Sequence, residues 1–251
     1  GEGDMNRVQI VFSPTGGTQR VVDALTGGWE YPVRRVDLTD GKWEAAGIEL
    51  EREDLAVIAV PSYGGRAPEL AMERLRKVRG NGARCVVVCV YGNRAYEDTL
   101  LELADGVEKQ GFRVMAAVAG VAEHSIIHQY GAGRPDQQDR EELGAFGKRI
   151  LEKMAGGRAE TPATPGDRPY KKAGSVGLAP RADKGCTGCG LCAENCPAQA
   201  IRRDKLRQTD RGKCISCMRC VTQCPQSARR ANGIMISLAA LVIKKACSER
   251  K

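Results

Sequence analysis

Two runs of cysteine constrain this chain more than anything else in it. Cys186, Cys189, Cys192 and Cys196 are followed by Pro197, and Cys214, Cys217, Cys220 and Cys224 by Pro225. Both runs read C-x2-C-x2-C-x3-C-P. In that spacing three thiolates wrap one set of irons, while the fourth, turned away by the proline, reaches the other set. The expected quartets are therefore Cys186, Cys189, Cys192 and Cys224 around one centre, and Cys214, Cys217, Cys220 and Cys196 around the second. Gly188 and Gly190 suit a backbone that passes close to sulfide and donates N–H groups to it. Structural zinc is built from separated C-x2-C pairs closing one tetrahedron, so two tandem quartets disfavour it.

Such runs are those of a bacterial two-cluster ferredoxin, which implies two 4Fe–4S clusters on eight of the eleven cysteines. Disulfides are disfavoured because the spacing already has a use and nothing at the N-terminus reads as a secretory signal. The first four residues read as a cloning remnant ahead of a start at Met5. A reducing, oxygen-poor, cytoplasmic setting is expected.

The net charge of +8 conceals an asymmetry. Residues 1–156 hold 20 Lys and Arg against 24 Asp and Glu, whereas 157–251 hold 19 against 7. A basic half invites a nucleic-acid reading, but no recognition helix or aromatic-interleaved RNA motif accompanies it. Cations that offset anionic clusters, and that attract the acidic half or an acidic redox protein, account for the pattern more simply.

Residues 7–12 read as a strand, 13–18 as a hydroxyl- and glycine-rich loop, and 19–25 as a helix. That order places free N–H groups and the positive end of a helix dipole against an anion. The Lys of a P-loop is missing, and so is G-x-G-x-x-G. Further strands are expected at 33–36, 55–60, 83–90 and 112–119, with helices at 69–78, 97–110 and 138–154. Apolar strands alternating with amphipathic helices predict an α/β fold, a doubly wound five-stranded parallel sheet with ligands at the carboxyl ends of its strands. Three loops fall at that edge: 13–18, Pro61-Ser62-Tyr63-Gly64-Gly65, and Tyr91-Gly92-Asn93-Arg94.

On those residues the first part of the chain resembles a flavodoxin. The whole is similar to the flavodoxin–ferredoxin fusions known as EFR-type ferredoxins. The resemblance implies FMN, its phosphate held by Ser13, Thr15, Gly16, Gly17 and Thr18. Pro61, Ser62, Tyr63, Gly64 and Gly65 would flank the isoalloxazine on one side, and Tyr91, Gly92, Asn93 and Arg94 on the other. Tyr63 is the expected stacking partner, with Tyr91 and Asn93 as further contacts. Trp29 and Trp43 lie away from these loops, unlike the tryptophans flavodoxins often use. His124 falls after the fifth strand, where it could approach the ring or sit as an ordinary solvated histidine. Cys85 and Cys89, on one face of one strand, read as inert buried thiols.

The expected division is a flavodoxin-like FMN domain at 5–155, a Pro/Gly-rich linker at 156–180, an α+β two-cluster ferredoxin domain at 181–231, and a C-terminal helix at 232–251. The apolar run 234–243 is too short to span a bilayer and reads as a helix packed on either half. The expected function is electron transfer between two 4Fe–4S clusters and FMN, and on to a redox protein partner. A flavin-dependent reductase of a small organic substrate is the alternative. No nucleic-acid partner is expected, and a homo-oligomer stays open.

Overall fold

The near-continuous apolar segments become strands of one parallel sheet. In the computed structural model the described residues are 6–30, 33–43, 47–157, 160–174 and 177–251. The expected start at Met5, and short parts of the 156–180 stretch, lie outside them. The sheet joins β1 (Arg7–Val11), β2 (Val33–Asp37), β4 (Leu55–Pro61), β6 (Arg84–Tyr91) and β7 (Arg113–Val121) in the order β2-β1-β4-β6-β7, every pairing parallel. Counted along the chain this is 2-1-3-4-5, the flavodoxin-like doubly wound order.

Strand periodicity sorts the core into two layers. Ile10, Phe12, Ile58, Val60, Cys85 and Cys89 face α2 (Glu69–Leu75) and α3 (Thr99–Lys109). Val11, Val57, Ala59, Val86 and Val88 face α1 (Gly17–Thr26) and α4 (Gln137–Ala155). On that second side α1 and α4 pack closely at Gly147, where a Cβ would lie 2.0 Å from the Leu25 carbonyl oxygen. Cys85 and Cys89 are fully buried, and burial raises both thiols far above their usual range.

The helix expected to reach residue 78 stops at Leu75. Val78 instead begins β5 (Val78–Arg79), which pairs in parallel with β3 (Ile48–Glu49). Val78 and Leu50 are buried there, so tertiary burial overrides the helical periodicity.

The cysteine-rich part is a pseudo-repeat. A short antiparallel pair, β8 (Arg181–Ala182) with β9 (Arg229–Arg230), closes its ends. Two single-turn helices, α5 (Leu191–Glu194) and α6 (Arg219–Thr222), carry Cys192 and Cys220. The left-handed backbone positions recur in both copies: Gly188 with Ser216, Gly190 with Met218, and Gln199 with Ser227. Asn195 hydrogen-bonds Gln223, its counterpart 28 residues later, at 3.1 Å. Positive φ costs a non-glycine residue about 1–3 kcal/mol, so Ser216 and Met218 keep it only because the loop around the thiols demands that path.

This part docks on the sheet through backbone acceptors. Buried Arg74 donates to the carbonyls of Leu38 and Asp40 and, at 2.7 Å, to that of Pro197. Gln199 donates to the Gly41 carbonyl at 2.8 Å. A Cβ on Gly41 would meet the carbonyl oxygens of Cys196 and Glu194 at 2.9 Å. The expected attraction of a basic ferredoxin part for an acidic sheet part runs the other way at Lys42–Glu194, 2.9 Å, where the sheet supplies the cation. The complementary charge is used elsewhere. Arg168 pairs with Asp105, Lys171 with Glu97, and Arg250 with Asp136. The 160–174 stretch thereby lies along α3.

The last element, α7 (Gly233–Ile243), is capped by Asn232 and packs on the loop after β7, with Ile127 and Tyr130 beneath it. Tyr130 donates its hydroxyl to the Ala240 carbonyl at 2.8 Å. Among the described residues no helix is long and apolar enough to cross a membrane.

Candidate flavin cleft and thiol cavity

At the carboxyl ends of β1, β4, β6 and β7 lies a cleft of about 600 Å³. Ser13, Thr15, Gly17 and Thr18 line one end of it. The chain turns at Gly16, φ 87°, into α1, which starts with no side-chain cap. The N–H groups of Gly17 and Thr18, the first two of the helix, are therefore left to the cleft. Ser13 Oγ accepts from the Gln19 N–H at 3.0 Å, and the Ser13 N–H donates to Thr39 Oγ1 at 2.6 Å. Thr39, fully buried after β2, thus orients the loop. Its sequence neighbourhood offers little beyond Asp37, whose carboxylate accepts from the Thr39 N–H.

The wall from the β4 end is set by a tight hairpin. Tyr63 and Arg66 exchange backbone hydrogen bonds at 2.9 and 3.2 Å across Gly64, φ 62°, and Gly65, φ 84°. Two successive left-handed residues are the geometry that favours a Gly-Gly pair. Pro61, Ser62, Tyr63 and Gly64 line the cleft, and Ser62 Oγ lies 2.7 Å from Thr99 Oγ1. Burial raises the Tyr63 phenol well above its ordinary range, with the nearby Cys217 adding to it.

From the β6 end, Tyr91 and Gly92 line the cleft, and Tyr91 meets Tyr96 edge-on at 5.2 Å. His124 lines it too. Its Nδ1 accepts from the N–H groups of Ile126 and Ile127 at 3.2 and 3.1 Å, which leaves Nε2 to carry the proton. Burial lowers its pKa to about 4.

Four expected ring or phosphate neighbours are not on the wall. Gly16 shapes its turn from behind, and Gly65 faces the Glu97 carboxylate, leaving no room for a Cβ. Arg94 pairs with Glu97 at 3.0 Å. Asn93 is buried and holds the chain's end: its Nδ2 donates to the carbonyls of Cys247 and Glu249, and its Oδ1 accepts from the Lys251 N–H. A loop read alone cannot show that a segment more than 150 positions on will cover it.

A second, small cavity is lined by Cys196, Cys214, Cys217 and Cys220, the four thiols expected around one centre, with Ile201, Met218 and Arg219 among their neighbours. Burial pushes Cys217 up to about 12 and Cys220 up to about 11. Such thiols ionise readily only when a metal core replaces their protons, so the donor set fits a cationic iron–sulfide core. Ala200 donates its N–H to Cys196 Sγ at 3.3 Å. Among the described residues no three Cys, His, Asp or Glu side chains converge closely enough to hold a single ion. In the other expected quartet Cys189 is exposed and Cys186, Cys192 and Cys224 are half-buried. Burial opposes ionisation of Cys224, but the N–H groups of Ala228, Gln226 and Arg229 outweigh it and hold that thiol below its usual range.

The two cavities share a wall. Cys214 and Ile215 line both, and the cleft is further closed on that side by Arg211, Lys213 and Ser216.

Residues 185–229 match the 4Fe–4S dicluster domain family. Over 45 residues the chain is 49% identical to one subunit of an ion-translocating oxidoreductase complex from Methanosarcina acetivorans. That match covers 18% of this chain and 17% of the relative, so the chain spans about a sixth of the relative's length. A flavodoxin of Streptococcus pneumoniae TIGR4 superposes with TM-score 0.41 at 21% identity, covering 59% of this chain and 99% of that one. Oxidised flavodoxin 1 of Bacillus cereus gives 0.44 at 17%, covering 59% and 97%. The chain thus joins a flavodoxin-like 2-1-3-4-5 parallel sheet to a cysteine-rich segment that matches the 4Fe–4S dicluster domain family.

Proposed function

We propose that this protein is an electron-transfer flavoprotein, passing electrons between two 4Fe–4S clusters and FMN and on to a redox protein partner. The observation that carries this reading is the shared wall: the Cys214–Ile215 backbone bounds both the thiol cavity and the cleft. Bound clusters supply one-electron carriers and bound flavin a store for one or two.

Each part of the chain has a task in this reading. Cys186, Cys189, Cys192 and Cys224 hold one cluster, and Cys214, Cys217, Cys220 and Cys196 hold the other. Ser13, Thr15, Gly17 and Thr18 bind the FMN phosphate with hydroxyls and first-turn N–H groups, Gly16 making the turn. Pro61 to Gly64, Tyr91, Gly92 and His124 enclose the ring and exclude water. Exposed Cys189 marks the edge where a partner, acidic to suit the basic 157–251 half, exchanges electrons.

Anaerobic purification with counts of flavin, iron and sulfide per chain tests the reading. About eight iron and eight sulfide and one FMN are expected, together with flavin bleaching when the clusters are reduced. Zinc at the thiols of reconstituted protein, or a cleft that takes up no flavin, would sink it.

A further inference from the structure

Among the described residues Arg229 is the largest fully buried side chain. It sits on β9, between the two cysteine quartets. Nη1 donates to the Leu206 carbonyl at 2.6 Å and lies 3.6 Å from Cys192 Sγ; Nη2 donates to the Pro180 carbonyl at 2.9 Å and to Thr209 Oγ1. The guanidinium also reaches Cys220 of the other quartet, and its charge acts on Cys214 and Cys224. Nε is buried with no protein acceptor among the described residues.

None of these hydrogen-bond partners is a carboxylate. A cation buried among neutral carbonyls, a hydroxyl and thiols is strongly disfavoured unless an anion stands beside it. Two four-thiolate clusters are that anion: four thiolates around a core of about +2 leave each near −2. Adding one electron makes either more negative, so a nearby fixed cation favours the reduced form and raises the potential.

From this geometry we infer that Arg229 is a shared potential-setting residue, one buried cation poising both iron–sulfur sites above the potentials their thiolates alone would give. The inference rests on the two-cluster reading above. It also gives the buried arginine a role distinct from bracing, because the carbonyl contacts to Leu206 and Pro180 need a donor fork whereas the redox effect needs only the charge.

Arg229→Gln and Arg229→Lys separate these roles in the full-length, cluster-loaded protein. Iron and sulfide are counted first, and midpoints are then read by EPR during stepwise reduction. Arg229→Gln is expected to lower both midpoints by at least tenfold in the one-electron equilibrium, about 59 mV. Arg229→Lys, which keeps the charge and loses the fork, is expected to stay within about threefold of wild type. Full iron content with either midpoint unmoved in Arg229→Gln would overturn the inference. If Arg229→Gln cannot hold iron, Arg229→Lys decides alone, and a tenfold fall there would overturn it equally. Wild-type protein without the two cluster signals would instead remove the two-cluster reading, and this inference with it.

Discussion

Arg219 donates from Nη1 to the carbonyl of Pro14 at 3.2 Å, across 205 positions of sequence. The same guanidinium donates from Nε to the Asn195 carbonyl at 3.1 Å. One side chain inside the second cysteine run therefore holds both the first run and the loop proposed to bind phosphate.

Replacing it tests whether that tie matters to electron flow. Arg219→Met removes two hydrogen bonds made by a charged donor, each worth about 1.5–3 kcal/mol where buried and less at this half-buried site. Amide exchange in residues 13–18 should quicken, and flavin reduction by pre-reduced clusters should slow severalfold in stopped flow. Unchanged exchange and rate would show the tie to be idle.

Tyr63 lines the cleft from the β4 side, where the proposed flavin ring would meet it. An aromatic contact is worth about 0.5–1.5 kcal/mol beyond area burial, so Tyr63→Leu should weaken FMN binding roughly threefold to tenfold. An electron-rich ring disfavours the anionic reduced flavin, so the flavin midpoint should also rise. Fluorescence titration and a spectral redox titration read the two effects. A midpoint that moves down contradicts stacking by Tyr63.

His124 makes a pH prediction whose sign follows from its lowered pKa. The folded state holds this imidazole neutral to about 4, whereas an unfolded histidine takes up its proton near 6.5. Between those values the unfolded chain binds more protons, so stability is retained above about 6.5 and lost as pH falls toward 4. The full swing is on the order of 3 kcal/mol. Protonation of Nδ1 would also remove the acceptor of Ile126 and Ile127. His124→Gln should flatten the slope of stability against pH in this window, measured by urea melts at several pH values.

Asn93 anchors the end of the chain, where Arg134 also reaches its Oδ1 at 3.3 Å. Asn93 adopts φ 64°, which asparagine tolerates better than alanine. Asn93→Ala should cost about 2–3 kcal/mol through unpaired polar groups and backbone strain. The loss should be local: faster amide exchange in α7 and the last residues, with FMN affinity little changed. A large loss of flavin with α7 undisturbed would return Asn93 to the ring.

Hairpin Gly64–Gly65 and the turn at Gly16 were legible as punctuation, because each is a short-range conformational demand. Their orientation was not. Gly65 reads as part of the ring pocket until Glu97 is seen packed behind it, and His124 reads as an ordinary loop histidine until Ile126 and Ile127 tie down its Nδ1. Charge was legible in part: Arg168, Lys171 and Arg250 of the basic half pair with Asp105, Glu97 and Asp136 of the acidic half. The basic second half predicts a cationic docking face, yet Lys42 and Arg74 on the sheet side supply cations to Glu194 and Pro197.

By itself the sequence determined the strand–helix alternation, the doubly wound sheet and the two cysteine runs. These depend on hydrophobic period and ligand spacing, which act between near neighbours. Tertiary structure alone decided that Cys214 and Ile215 wall both cavities, that Asn93 clamps the chain's end, and that Arg229 lies buried between the quartets. Each of these depends on distant segments meeting, often through backbone carbonyls. A carbonyl is identical in every residue, so the contacts it accepts leave no mark in the amino-acid pattern.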